Sequence, residues 1–208
     1  YGRDLGVMAY GDLFPSSNQK FNYLSYNLSV TNGNIITQVD DNKSKDLVGR
    51  LTFRPIEKLR VMASYNWGEY NGVVKQVDGS ELLKKNLSTN RFVAGAWYFD
   101  PEGLSLRSEY GHMRSSEGNV KENAFYVLAA YKVGKFLPVA RYELYRDREN
   151  KAAANANKDA ILVGCTYAPI KHFKLQAAYT HTMYTKRVED ATGTKDGNGI
   201  QLMAVAYF

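Results

Sequence analysis

Within FNYLSYNLSVTNG, Phe21 to Gly33, the residues from Leu24 to Thr31 alternate without a break. Leu24, Tyr26, Leu28 and Val30 are apolar or aromatic, and Ser25, Asn27, Ser29 and Thr31 stand between or beside them. Successive side chains of an extended strand point to opposite faces, so Leu24 to Thr31 carries one greasy face and one polar face. A helix would need apolar residues at every third or fourth position instead. The stretch is therefore a strand, and it raises the question of what wets its polar side.

The same rhythm recurs along the 208 residues. Leu59, Val61, Ala63, Tyr65 and Trp67 alternate with Arg60, Met62, Ser64 and Asn66; Phe173, Leu175, Ala177 and Tyr179 alternate with Lys174, Gln176, Ala178 and Thr180. Phe125, Val127, Ala129, Tyr131 and Val133 alternate with Tyr126, Leu128, Ala130 and Lys132. About eleven strands are predicted, near 4–14, 21–32, 46–54, 59–70, 89–100, 104–114, 122–133, 136–147, 158–168, 173–184 and 198–208, with no amphipathic helix. Roughly ten residues is long for a soluble strand and matches a tilted strand that crosses a bilayer, about 9–11 residues.

The connections support that reading. RPIEKL (54–59), FDPEGL (99–104), KVGKF (132–136) and APIKHF (168–173) are tight, punctuated by Pro or Gly. Between them lie longer polar segments at 32–46, 71–88, 148–158 and 186–197. PSSNQK (15–20) fits the short side less well. Short turns at one end and long loops at the other is the layout of bacterial outer-membrane barrels. Aromatics near strand ends suit their interfacial girdles, and strands in lipid must close into a barrel to pair every backbone group. Sixteen tyrosines fit the same picture, because a Tyr ring sits half buried at a membrane surface with its hydroxyl wet.

Composition excludes other classes. Mean hydropathy is −0.43, and no run approaches the roughly 18 apolar residues of a spanning helix. One cysteine, Cys165, leaves no disulfide framework. The net charge is +6, but the charges are scattered singly, with neither a basic block nor a recognition helix for nucleic acid. The last residues, GIQLMAVAYF, end an alternating strand on Phe208, like the C-terminal signal of outer-membrane barrels. Single-chain bacterial barrels have an even number of strands. The odd count therefore predicts that residues 1–208 form one barrel domain that is the C-terminal part of a longer barrel.

Three stretches carry a family resemblance: YGRDLGV (1–7), LSYNLSVTNGN (24–34) and DLVGRLTFRPIEKLRV (46–61). Together they resemble the phosphate-selective porin O and P family, whose members share a Gly-Arg-Asp strand, an Asn-Gly loop and a Gly-Arg-Leu strand with a Pro turn. The likeness covers about the first 60 residues; beyond them it is one of strand rhythm and the terminal Phe. It implies a sixteen-stranded barrel, usually a homotrimer in the bacterial outer membrane, that passes phosphate or related anions along a basic ladder by passive diffusion, without a cofactor. Inward loops of that family would lie upstream of this chain.

If the apolar parity faces lipid, the polar parity faces an aqueous lumen. Arg50, Arg107 and Arg141 are then inward at mid-depth, and Arg60, Lys132 and Lys174 inward near the tight turns. Fixed cations in a narrow pore favour anions, and Arg offers a planar fork for phosphate or carboxylate oxygens. Glu109 and Glu143 share the parity of Arg107 and Arg141, and Asp4 and Asp12 also point inward, so the arginines have carboxylates within reach for structural ion pairs. Arg91 lies on a strand apolar on both faces, which assigns it to neither. A non-conducting structural or adhesion barrel is the alternative. A barrel enzyme would need His181 or His112, near the long-loop end, against a carboxylate, and neither lies in a nucleophile or metal motif. His172 falls in a tight turn, and Cys165 shares the lipid-facing parity of Ile161, Val163 and Tyr167.

Overall fold

The computed structural model describes residues 5–33, 44–75, 81–116, 120–149 and 157–206. The inward Asp4, the terminal Phe208 and much of the long segments at 32–46 and 148–158 fall outside them. The strands are β1 (Gly6–Pro15), β2 (Asn22–Thr31), β3 (Asp46–Ile56), β4 (Leu59–Lys75), β5 (Glu81–Phe99) and β6 (Leu104–Ser115). They continue with β7 (Lys121–Tyr131), β8 (Phe136–Asp147), β9 (Lys158–Ile170), β10 (Phe173–Tyr184) and β11 (Gly197–Ala206), and one helix, α1 (Lys186–Thr192), precedes β11. Each strand pairs with its sequence neighbours in the order β1 to β11, an antiparallel meander of the outer-membrane barrel type.

Backbone contacts group the chain into two units, Tyr1–Ala94 with Gly111–Glu122, and Gly95–Tyr110 with Asn123–Phe208. In the first, the register sets Leu24, Tyr26, Leu28 and Val30 of the opening stretch opposite Phe53, Leu51, Gly49 and Leu47. Ser25, Asn27, Ser29 and Thr31 meet Thr52, Arg50, Val48 and Asp46. The same faces continue onto β4, where Tyr65 and Ala63 oppose Gly49 and Leu51, and Asn66 and Ser64 oppose Val48 and Arg50. A one-residue slip would exchange the faces, so this matching is what fixes the register.

Exposure along these strands is inverted relative to a water-soluble sheet. On the apolar face Leu51 and Phe53 are 53% and 50% exposed, while Met62, on the polar face, is 7% exposed. The second unit repeats the inversion: Ile161 and Val163 are 44% and 48% exposed, and Ala160 on the other face is 5% exposed. A soluble domain rarely leaves a contiguous apolar surface of this kind in water. A strand whose greasy side meets lipid tails has nothing to hide.

The turns have local causes. Between β7 and β8, Val133 and Phe136 exchange backbone hydrogen bonds around a two-residue tip. Gly134 holds φ of 57° at its first position, as a type II′ turn requires. Between β1 and β2, the chain reverses through the 4%-exposed Ser16, whose hydroxyl donates to Asn18 Oδ1 at 2.8 Å. PSSNQK is therefore a side-chain-stabilised turn on the short side.

Two sequence expectations are corrected. The segment at 71–88 is not a loop throughout: β4 and β5 run through most of it and reach 17 and 19 residues. At about 3.4 Å per residue such strands are roughly 55–65 Å long, more than a tilted crossing of the apolar band needs. Their distal parts have no lipid to sort their faces, so the alternation that marks a crossing strand fades there. The segment at 186–197, read as loop, contains α1. Seven residues are too few to show a helical period. The helix starts after the extended Thr185 and stops where Gly193, in the left-handed region, donates its N–H to Glu189 O. Val188 on this helix is fully buried.

Candidate functional site

The sequence-predicted cations lie on the polar face, and the register says which residues share it with them. In the first unit Arg50 lies between Asn27 of β2 and Ser64 of β4. Asp12 of β1 sits opposite Ser25 and accepts a hydrogen bond from its hydroxyl at 2.5 Å. Arg60, at the turn end of β4, is exposed. Arg91 reaches Asn66 Oδ1 at 3.5 Å, and Asn66 pairs with Val48 on the polar face, so the structure gives Arg91 the side the sequence could not assign.

Arg54 belongs to the same face and was missed. Its parity with Arg50 and Thr52 is visible in the sequence, but RPIEKL reads as a turn from its first residue. In the structure β3 continues to Ile56, and the Arg54 guanidinium donates to Glu57 O at 2.9 Å and stands 5.0 Å from the centre of the Phe21 ring.

The second unit brings Arg107, Arg141 and Lys132 each to a carboxylate. Arg107 donates through Nε and Nη2 to Glu109 Oε1, at 3.1 and 2.7 Å. Arg141 makes an ion pair with Glu143. Both pairs join residues two apart on one strand, whose side chains therefore project to the same face. Lys132 Nζ lies 2.8 Å from both oxygens of Glu102. Between the arginine pairs stands Tyr126 of β7, its ring centre 5.9 Å from the Arg107 guanidinium and 4.9 Å from that of Arg141. Trp97 lies under Arg107 at 4.7 Å. Stacking of this kind holds guanidinium planes against aromatic faces and restricts their motion.

Strand direction orders these charges. β6 and β8 both begin at a tight turn, so Arg107 and Arg141 are nearer those turns than Glu109 and Glu143. Two parallel Arg-to-Glu dipoles result. Lys174 of β10 lies opposite Val205, on the face of Gln176, whose amide donates to Thr166 Oγ1 at 2.9 Å.

The histidines are arranged otherwise. His181 shares the face of Tyr179 and Ala177, with Nδ1 2.9 Å from Asn198 Oδ1 and Nε2 4.0 Å from Asp196 Oδ2. It thus meets a carboxylate only at ion-pair distance, on the apolar side of the sheet. His172 is exposed in the two-residue connection between β9 and β10. Among the described residues no cluster of His, Cys, Asp and Glu has the spacing to hold a metal ion. Cys165 opposes Pro138 and Ala177, on the face of Ile161 and Val163.

An eleven-stranded antiparallel meander, greasy and exposed on one face and polar on the other, is the construction of a bacterial outer-membrane barrel. Solved structures agree on that fold. The outer membrane channel DcaP of Acinetobacter baumannii matches with a TM-score of 0.67 at 15% identity, over 98% of this chain and 62% of that one. An anion-selective porin from Comamonas acidovorans matches at 0.62 and 15%, over 97% and 58%. The trimer form of OmpT of Vibrio cholerae matches at 0.57 and 15%, over 98% and 64%. The chain thus spans about three-fifths of the length of each of these three. No family model matches it. An uncharacterized protein of Aquifex aeolicus (strain VF5) is 27% identical over 121 residues, which is 56% of this chain and 28% of that protein.

Proposed function

We propose that this chain is the larger part of an outer-membrane porin that lets small anions diffuse passively through a water-filled lumen lined by its polar face. The observation that supports the reading is a small excess of cations on that face among the described residues, which is present in each unit taken alone. The first sets Arg50, Arg54, Arg60 and Arg91 against Asp12, Asp46 and Glu122. The second sets Arg107, Arg141, Lys132, Lys158 and Lys174 against Glu109, Glu143, Asp147 and Glu102. A fixed positive excess in a narrow pore lowers the barrier for anions and raises it for cations. The ion pairs temper it, so the expected preference is for anions as a class. Phosphate is the particular anion that the family resemblance implies, and it binds as an oxyanion to the Arg forks. Mechanism is diffusion down a gradient, with no chemical step. The working assembly is a homotrimer, as the trimer form of OmpT suggests for the fold.

The test is the reversal potential of the purified full-length protein in a planar bilayer under a potassium chloride gradient. A potential of the sign set by chloride permeation, with chloride current reduced by added phosphate, supports the proposal. A potential of the opposite sign means that the inward carboxylates dominate, and the anion assignment falls. Absence of any conductance favours a structural barrel.

A further inference from the structure

On the turn-side half of the second unit, apolar residues on the polar face gather around a recess. Leu128 and Ala130 of β7 and Leu137 of β8 are among them. Leu137 opposes Thr166 on that face, and Ala130 is 9% exposed. These side chains form the floor of the recess, which has a volume of about 590 Å³, with Trp97 and Arg107 on one side and Lys132 on another. Apolar groups on a water-facing surface are unfavourable there unless something apolar covers them. Polar residues would cost nothing at these positions.

The cations at the recess have donors to spare. Arg107 commits Nε and Nη2 to Glu109, out of the five N–H donors of a guanidinium. Lys132 meets the two oxygens of one carboxylate with an ammonium that has three donors. The Arg107 guanidinium stands over the Trp97 ring, 4.7 Å from its centre, so its motion is restricted before a guest arrives.

We propose that this recess is a subsite for an amphipathic organic anion, whose aromatic or branched apolar body lies on Leu128, Ala130 and Leu137 and whose carboxylate or sulfonate reaches Arg107. The inference rests on the porin reading and narrows its solute class. Inorganic phosphate has no apolar part and gains nothing from this floor; an aryl carboxylate or sulfonate gains from both the floor and the fork.

The experiment compares benzenesulfonate with methanesulfonate, which match in charge and head group and differ in body. Each is titrated against the chloride conductance of the reconstituted full-length channel. Benzenesulfonate should half-block at about one-tenth the concentration of methanesulfonate, equivalent to ~1.4 kcal/mol. The paired substitutions Leu128→Asn and Leu137→Asn should erase that difference. Equal half-block by the two anions overturns the subsite while leaving anion selectivity intact. A second measurement needs no conductance. The chain has two tryptophans, so Trp67→Phe leaves Trp97 alone to report. Its fluorescence in detergent-solubilised protein should respond to benzenesulfonate about tenfold more readily than to methanesulfonate, by the same arithmetic. Absent conductance with that response retained would sink the porin reading and keep the site; an unselective response would sink the site.

Discussion

Glu109 stands two residues beyond Arg107 on one strand and accepts both its Nε, at 3.1 Å, and its Nη2, at 2.7 Å. Arg141 and Glu143 repeat the relationship on β8. The arginines are therefore not isolated positive charges lining a pore. Each is half of a dipole whose positive end lies nearer the tight turns, held in place by Tyr126 and, for Arg107, by Trp97. In the proposed porin, their effect on a passing ion is set by how far the carboxylates cancel them.

Removing the carboxylates should thus strengthen selectivity. Glu109→Gln with Glu143→Gln leaves two uncompensated guanidinium groups on the polar face, and the chloride-to-potassium permeability ratio should rise by roughly two- to fivefold. Arg107→Gln with Arg141→Gln should move it the other way by a similar factor. Reversal potentials at low ionic strength measure both, because salt screens fixed charge. If both double variants keep the wild-type ratio, these pairs are structural only.

The two faces of β3 should respond oppositely to a charge. Leu51 lies at mid-strand on the apolar face and is 53% exposed, so Leu51→Arg sets a cation against lipid tails and should cost about 2–4 kcal/mol. Its neighbour Thr52 points to the polar face, opposite Ser25 and Met62. Thr52→Arg should stay within about 1 kcal/mol of the parent, since charge on a wet lumen face is tolerated. Urea unfolding in lipid vesicles, followed by tryptophan fluorescence, gives both numbers.

Where the sequence was legible, a single constraint explains why. In the crossing parts of the strands lipid dictates one face and water the other, so the alternation of Leu24 to Thr31 or Leu59 to Trp67 reads directly as a strand with its register. Distal β4 and β5 and the helix α1 lie where that constraint does not act. Their strand or helix state depends on backbone pairing and on the stop at Gly193, neither of which leaves a periodic trace. The site was legible in parity but not in pairing. That Arg107 and Glu109 share a face follows from counting; the stacking of Arg107 on Trp97 and of Arg141 on Tyr126 joins different strands and needs their register. Arg54 was lost because a proline beside it marks a turn more loudly than its alternation marks a strand.

Gly164 of β9 is a steric demand rather than a conformational one. A Cβ there would lie 2.8 Å from Ala177 O and 3.1 Å from the Ala178 Cβ, both on the adjacent strand β10. Backbone cannot yield as a flexible side chain can, so Gly164→Val should force β9 and β10 apart and cost about 1–3 kcal/mol. Gly49, whose added Cβ would meet only Leu28 Cδ2 at 3.5 Å, is the control: Gly49→Ala should be near neutral. Thermal unfolding in detergent compares the two, and equal losses would mean the β9–β10 contact is looser than it stands here.

Cys165 and Thr166 offer a direct test of which side is wet. They are consecutive, so their side chains leave β9 on opposite faces: Cys165 opposes Pro138 and Ala177, and Thr166 opposes Leu137 and Gln176. In lipid vesicles a charged, water-soluble maleimide should leave native Cys165 unlabelled, because both the reagent and the thiolate it needs are excluded from hydrocarbon. The variant Cys165→Ala with Thr166→Cys carries the thiol on the polar face and should label through the lumen. Denaturing the vesicle-embedded protein should equalise the two, which shows that the difference belongs to the fold. Rapid labelling of Cys165 in the intact bilayer would place the apolar face in water and overturn the inside-out assignment on which the pore reading depends.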